Sequence, residues 1–110
     1  MGRFVLAGAR FARLAREMNV QWNSKESRFE AEVNGQTAIA DCLVHPNEWV
    51  VTHVEVPIAL RGGGIASQLA AGIVEHARSE KRKIVPMCPF MAAYFERHPE
   101  ARDVLQEREA

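Results

Sequence analysis

The pattern of the chain changes abruptly at Pro57. Before it, WVVTHVEV (residues 49–56) is rich in β-branched and aromatic residues, the composition of a strand, and proline stops it. After it, Ile65, Leu69, Ile73 and Ala77 recur every four residues with Ala66, Ala70 and Val74 alongside, which predicts an amphipathic helix over about residues 64–79. The charged segment EKRK then leads into the apolar run Ile84-Val85-Pro86, a further strand. Strand, helix and strand in this order predict a parallel pair joined by a right-handed crossover, so the fold must be mixed α/β. Three consecutive glycines, Gly62, Gly63 and Gly64, stand where strand gives way to helix.

Upstream, RFEAEV (28–33) alternates apolar and charged residues, and Asn34-Gly35 is the strongest short signal for a two-residue hairpin turn. QTAIADCLV (36–44) forms the returning arm, and His45-Pro46-Asn47 turns the chain into residues 49–56. Three strands joined by short turns predict an antiparallel meander, in which alternation places Trp49, Val51, His53 and Glu55 on one side. Downstream, Pro89 starts a second helix through Tyr94 and Phe95, His98-Pro99 ends it, and VLQER (104–108) adds a last helical turn.

At 110 residues, against the roughly 150 typical of a domain, the chain has room for one compact unit. Its 47% hydrophobic and 25% charged residues exclude collagen-like, disordered and disulfide-scaffold classes. Fourteen basic residues balance fourteen acidic ones, so no overall field favours nucleic acid or an acidic membrane as partner. Cys42 and Cys88 are far apart and lack metal-ligand spacing, and no apolar run approaches the ~18 residues of a membrane span. The expectation is a cytoplasmic domain with no metal, nucleic-acid or membrane partner.

The first sixteen residues hold four arginines and no acid, leaving ten basic against fourteen acidic residues in the remainder. Phe4, Ala7, Phe11, Leu14 and Met18 fall on one helical face. A mitochondrial presequence, a helix packed on the domain and a poorly ordered leader all fit this pattern. Residues 1–27 are accordingly read as an N-terminal extension and residues 28–110 as the domain.

The glycine triplet lets the backbone take positive φ and approach a ligand closely, and the helix N-terminus behind it presents free N–H groups and a partial positive charge of about half an electron. A pyrophosphate suits such a turn, with Arg61 as a nearby cation; a flexible strand-to-helix connection explains the same glycines. No Gly-Lys-Ser/Thr ending supports a nucleotide triphosphate loop, and the turn follows the third strand rather than opening a series of βαβ units. What remains is Arg61-x-x-Gly64-x-Ala66, which resembles the coenzyme A pyrophosphate signature, Gln/Arg-x-x-Gly-x-Gly/Ala, of the GNAT N-acetyltransferase superfamily. The stretch from Thr52 to Glu100 is similar to the small, single-domain GNAT-like family of YjdJ type, and RFEAEVNGQTAIADCLV is similar to that family's opening hairpin. The likeness runs from about Arg28 to Leu105.

This resemblance implies a minimal GNAT fold: antiparallel strands, a strand-helix-strand unit whose parallel pair splays apart, and a C-terminal helix. It implies acetyl-CoA as cosubstrate, pantetheine against the backbone of Val54 and Val56, and pyrophosphate against Arg61, Gly62, Gly63, Gly64, Ile65 and Ala66. It also implies an acceptor side left open by the lack of long N-terminal covering helices, and a monomer or weak homodimer. The expected activity is transfer of acetyl to a primary amine of an unidentified acceptor; the alternative is a noncatalytic acyl-CoA sensor or interaction module.

Such a transfer needs a base for the ammonium and an acid for the departing thiolate. Glu55 is the preferred base and His53 the other candidate, although strand carboxylates and histidines often serve solubility or packing. Cys88, following the fourth strand at a helix start, is a candidate nucleophile or a small buried hydrophobe. Tyr94 occupies roughly the place where many GNAT enzymes protonate the thiolate, and is otherwise a core aromatic. Cys42, Trp49, Phe90 and Phe95 are read as packing residues and His98 as a helix-ending one.

Overall fold

The computed structural model describes residues 19–106. The amphipathic pattern of residues 1–18, and the end of the VLQER turn from residue 107, lie outside the described residues. Five strands form one sheet in sequence order: β1 (Gln21–Asn23), β2 (Arg28–Val33), β3 (Gln36–His45), β4 (Glu48–Glu55) and β5 (Lys83–Pro86). The pairs are antiparallel up to β4, and β5 returns parallel to it, as the strand-helix-strand order requires. Helix α1 (Ile65–Glu80) makes the crossover and α2 (Pro89–Arg97) follows β5. Short 3-10 turns occupy Ile58–Leu60 and Pro99–Val104, so residues that the sequence placed in a final α-helical turn begin instead at the end of a 3-10 segment.

Residue-by-residue alternation turns Phe29 and Ala31 of β2 and Ala38, Ala40 and Cys42 of β3 toward α1, which answers with Leu69, Ala70, Ile73, Val74 and Ala77. The small β3 residues let the helix lie close to the sheet centre, and Phe29, Trp22 and Trp49 fill the end nearest β1, with ring centroids 4.9–5.5 Å apart. β1 is absent from the sequence expectation, which opened the sheet at Arg28. It pairs Trp22 with Phe29 and is turned back by Asn23, whose Oδ1 accepts the N–H groups of Lys25 and Glu26.

Expected alternation fails once, in β4. Cys42 pairs with Val51 but Asp41 pairs with His53, so Thr52 is an extra residue, a β-bulge. The inward set is Trp49 and Val51 before the bulge and Val54 and Val56 after it, while His53 and Glu55 lie on the outer face. The expected grouping of Trp49 and Val51 with His53 and Glu55 is thereby corrected. Strict alternation would have pressed two ionisable groups into the core, and the bulge removes that cost.

Helix α1 is tied at its middle and at its end. His76 Nε2 donates to the Val20 carbonyl (2.7 Å), and Gly72 faces Val20 so closely that a Cβ on Gly72 would lie 2.7 Å from the Val20 Cβ. Gly72→Ala is therefore expected to destabilise the fold by about 1–3 kcal/mol in urea unfolding, although alanine is the better helix former by ~1 kcal/mol. Trimming Val20 to alanine in the same chain should recover part of that loss. At the last turn, Arg78 grips Asp103 through Nε (2.8 Å) and Nη2 (2.9 Å), which holds the Asp103 carboxyl below its ordinary range. That pairing anchors the segment after α2 onto α1.

Candidate functional site

The site begins where the parallel pair comes apart. β4 and β5 pair from Glu48 with Lys83 to Val51 with Pro86 and no further. Met87 and Cys88 then both donate their N–H groups to the Val51 carbonyl (3.1 and 3.0 Å), and Pro89 turns the chain into α2. Proline at the first helical position cannot extend a ladder and is preorganised for a helix, so the sequence itself ends the pairing there. Beyond the bulge, His53 to Glu55 keep β3 on one side and have no strand partner on the other among the described residues.

Continuing along the chain, the 3-10 turn Ile58–Leu60 leads into the glycine turn. Gly62 (φ +88°) and Gly64 (φ +79°) are left-handed, and a Cβ built on either would meet nothing within 4 Å. Open space therefore lies in front of this backbone. Gly64 caps α1 with no side-chain hydrogen bond, and no acidic residue stands in the first turn, so the leading N–H groups of a sixteen-residue helix are uncapped by side chains. Gly62, Gly63 and Gly64 are exposed, and Ile65 and Ala66 half-buried. Arg61 reaches back, its Nε donating to the Val56 carbonyl (2.9 Å). This contact was not foreseen: it ties the end of the splayed strand to the start of the turn, and no carboxylate pairs with the guanidinium among the described residues. Open amides with an unpaired cation beside them fit an anionic diphosphate, and the free edge of β4 fits an amide-bearing chain such as pantetheine.

The residues expected to do chemistry fall into two groups. Glu55 and His53 are together on the outer face, Oε1 to Nε2 3.4 Å, with side chains 61% and 58% exposed. Both stand on the end of β4 that β5 leaves unpaired, open to solvent. Cys88 and Tyr94 are buried in the core instead. The Cys88 backbone marks the point where the strands part, and the residue is the N-cap of α2, its side chain making no cap hydrogen bond. Tyr94 stacks on His98 (4.1 Å between rings), and burial, reinforced by the Glu100 charge, raises its hydroxyl above the usual range. Its charged neighbours Arg78 and Glu75 belong to the later turns of α1; Glu75 is ten residues, or about 15 Å of helix rise, from Ile65. Geometry thus brings Glu55 and His53 to one another and leaves Tyr94 near the far end of α1. Cys42 is core, its thiol pushed up to about 12 by burial with the Asp41 charge adding to it. Trp49 and Phe95 are buried and Phe90 is partly so, all as packing residues.

The sequence reading also missed a depression of about 580 Å³ on the outer face, lined by Arg28, Glu30, Thr37, Ile39, Glu55 and Pro57. Its signal is the outward half of the alternation in RFEAEV and QTAIAD: two charged residues on one strand, and a threonine and an isoleucine on the next. No group of three or more potential metal ligands occurs among the described residues, and no helix there is long and apolar enough to cross a membrane.

Comparison with known proteins agrees with this architecture. The NMR structure of a GCN5-like candidate N-acetyltransferase from Staphylococcus aureus superposes with a TM-score of 0.58 at 25% sequence identity, over 84% of this chain and 91% of that one. The sequence profile of the GCN5-related N-acetyltransferases matches residues 28–104, more than two-thirds of the chain. A five-stranded mixed sheet that opens beyond its one parallel pair, with a glycine turn leading into the crossover helix, is accordingly the acetyltransferase domain of that family, and this chain belongs to the GCN5-related N-acetyltransferases.

Proposed function

We propose that this chain binds acetyl-CoA along the open end of β4 and transfers the acetyl group to a primary amine, with Glu55 as general base. The observation that carries the proposal is the continuity of three features: the unpaired strand edge, the open glycine turn and a solvent-reachable carboxylate on the same strand. When bound, acetyl-CoA supplies an activated acetyl thioester. The amides of Gly62 through Ala66, with the Arg61 guanidinium beside them, hold the pyrophosphate. The backbone of Val54 hydrogen-bonds pantetheine; the Val56 carbonyl, already taken by Arg61, contributes by holding that arginine in place.

Glu55 accepts a proton from the acceptor's ammonium, which frees the nitrogen lone pair for the carbonyl carbon. A C–N bond forms and the C–S bond breaks with its electron pair going to sulfur. The nitrogen sheds its second proton to solvent while the departing thiolate takes one up from it, so the products are the amide, the free thiol and one released proton. His53, 3.4 Å from Glu55, relays the abstracted proton outward. The buried position of Cys88, and that of Tyr94 near the far end of α1, favour direct attack.

Titrating the protein with acetyl-CoA while following backbone amide resonances, then incubating it with a panel of primary amines, tests this reading. Shifts should concentrate at residues 54–66, and an acetylated amine should accumulate. Saturable binding with no acetylated product establishes the acyl-CoA sensor in place of the transferase, and unmoved resonances at millimolar ligand overturn both.

A further inference from the structure

The outer face next to Glu55 has a composition that selects among amines. Across the strands, Glu30 pairs with Ile39 and Ile39 with Glu55, so two carboxylates stand either side of one apolar residue, about 10 Å apart at the main chain. They are not equivalent. Glu30 is neutralised: Arg28 Nε donates to its Oε2 at 2.7 Å and Asn23 Nδ2 at 2.9 Å, which together hold its carboxyl below the ordinary range. The Glu55 carboxylate has His53, at 3.4 Å, as its one side-chain polar partner among the described residues. The depression they share, about 580 Å³, lies within the roughly 300–1,000 Å³ of small-molecule sites, and Ile39 and Pro57 give it apolar surface between the charges.

We infer that this depression is the acceptor subsite and that it takes a single primary ammonium on an unbranched apolar stem, the chemistry of a lysine side chain. This rests on the transferase reading above. One free carboxylate binds one cation, and the stem lies on Ile39 and Pro57. A diamine of the same length would bring its second ammonium to Arg28, whose guanidinium repels it and already satisfies the carboxylate that would otherwise bind it. A short α-amine reaches Glu55 but leaves the apolar surface uncovered.

Initial rates with saturating acetyl-CoA test the inference on three amines: Nα-acetyl-lysine methylamide, 1,5-diaminopentane and alaninamide. The wild-type chain should favour the lysine derivative over each of the other two by at least about tenfold in kcat/KM, the discrimination a kilocalorie-scale contact provides. Ile39→Arg should lower kcat/KM for the lysine derivative by about tenfold or more through KM, because it replaces stem contact with like charge. Arg28→Gln removes the repelling cation and releases Glu30, so the ratio of diaminopentane to lysine derivative should rise by about tenfold. That gain of a second substrate cannot arise from a poorly folded variant. Turnover of the panel with a ranking that neither substitution alters overturns the subsite and leaves the transferase standing; acetyl-CoA binding with no turnover of any amine overturns the transferase and the subsite together.

Discussion

Glu55→Gln is expected to lower kcat for amine acetylation by about 10²–10⁴-fold and to leave acetyl-CoA affinity within about twofold of wild type. The substitution is nearly isosteric, keeps a hydrogen-bonding group 3.4 Å from His53, and removes only the capacity to take a proton. Its side chain is 61% exposed and on the face away from the core, so stability should not change measurably. The backbone of the splayed strand, where the proposal places the cosubstrate, is untouched. An alkylammonium of pKa about 10.4 is almost wholly protonated at neutral pH, and without a base only its rare neutral fraction reacts. Residual kcat/KM of the variant should therefore rise about tenfold per pH unit between pH 7 and 9, a slope that wild type, with its own base, lacks. A full-rate Glu55→Gln variant would remove Glu55 from the chemistry while leaving the proposed cosubstrate site standing.

The placement of that carboxylate was legible in the sequence only in part. Long periodic signals translated directly: Ile65, Leu69, Ile73 and Ala77 fixed α1 to within one residue at each end, Asn34-Gly35 made the hairpin, and Pro89 opened α2. The bulge was missed because alternation was extended through it. Yet apolar residues at 49 and 51, then at 54 and 56, already carry a one-residue slip in phase, and only an extra residue between the two pairs lets both face inward. Val50, apolar but on the other face, hid the slip. β1 escaped notice for a different reason: three residues are too few for a periodic signal, and what makes QWN a strand is Trp22 packing on Phe29 and Trp49, a tertiary contact. The Arg61 contact with Val56 likewise depends on how the chain bends between them, which no spacing rule supplies.

Gly64→Val is expected to weaken acetyl-CoA binding by about 100-fold or more, which at 1.4 kcal/mol per decade is a loss of about 3 kcal/mol. Two effects combine. The native φ of +79° lies in the left-handed region, where a residue with a Cβ pays roughly 1–2 kcal/mol and a β-branched one more, so the turn relaxes and swings the leading amides of α1 away from their common target. The valine methyls, if the turn holds, occupy the open space before the backbone, which is where the proposal places the diphosphate. Gly63 separates these contributions. Its φ is not positive and a Cβ there meets only the Leu60 carbonyl, at 3.9 Å, an ordinary contact. Gly63→Ala thus adds a methyl to the turn without backbone strain, and should cost less affinity than Gly64→Ala, whose methyl is the same size but whose φ is wrong for it. Because neither position packs against the core, circular dichroism should stay native-like and the unfolding midpoint of Gly64→Val should fall only by the strain of the turn, so that affinity lost where the variant is fully folded reports the cradle and not the fold. Wild-type affinity in Gly64→Val would mean that the anion is held elsewhere, and that the turn serves only to join β4 to α1.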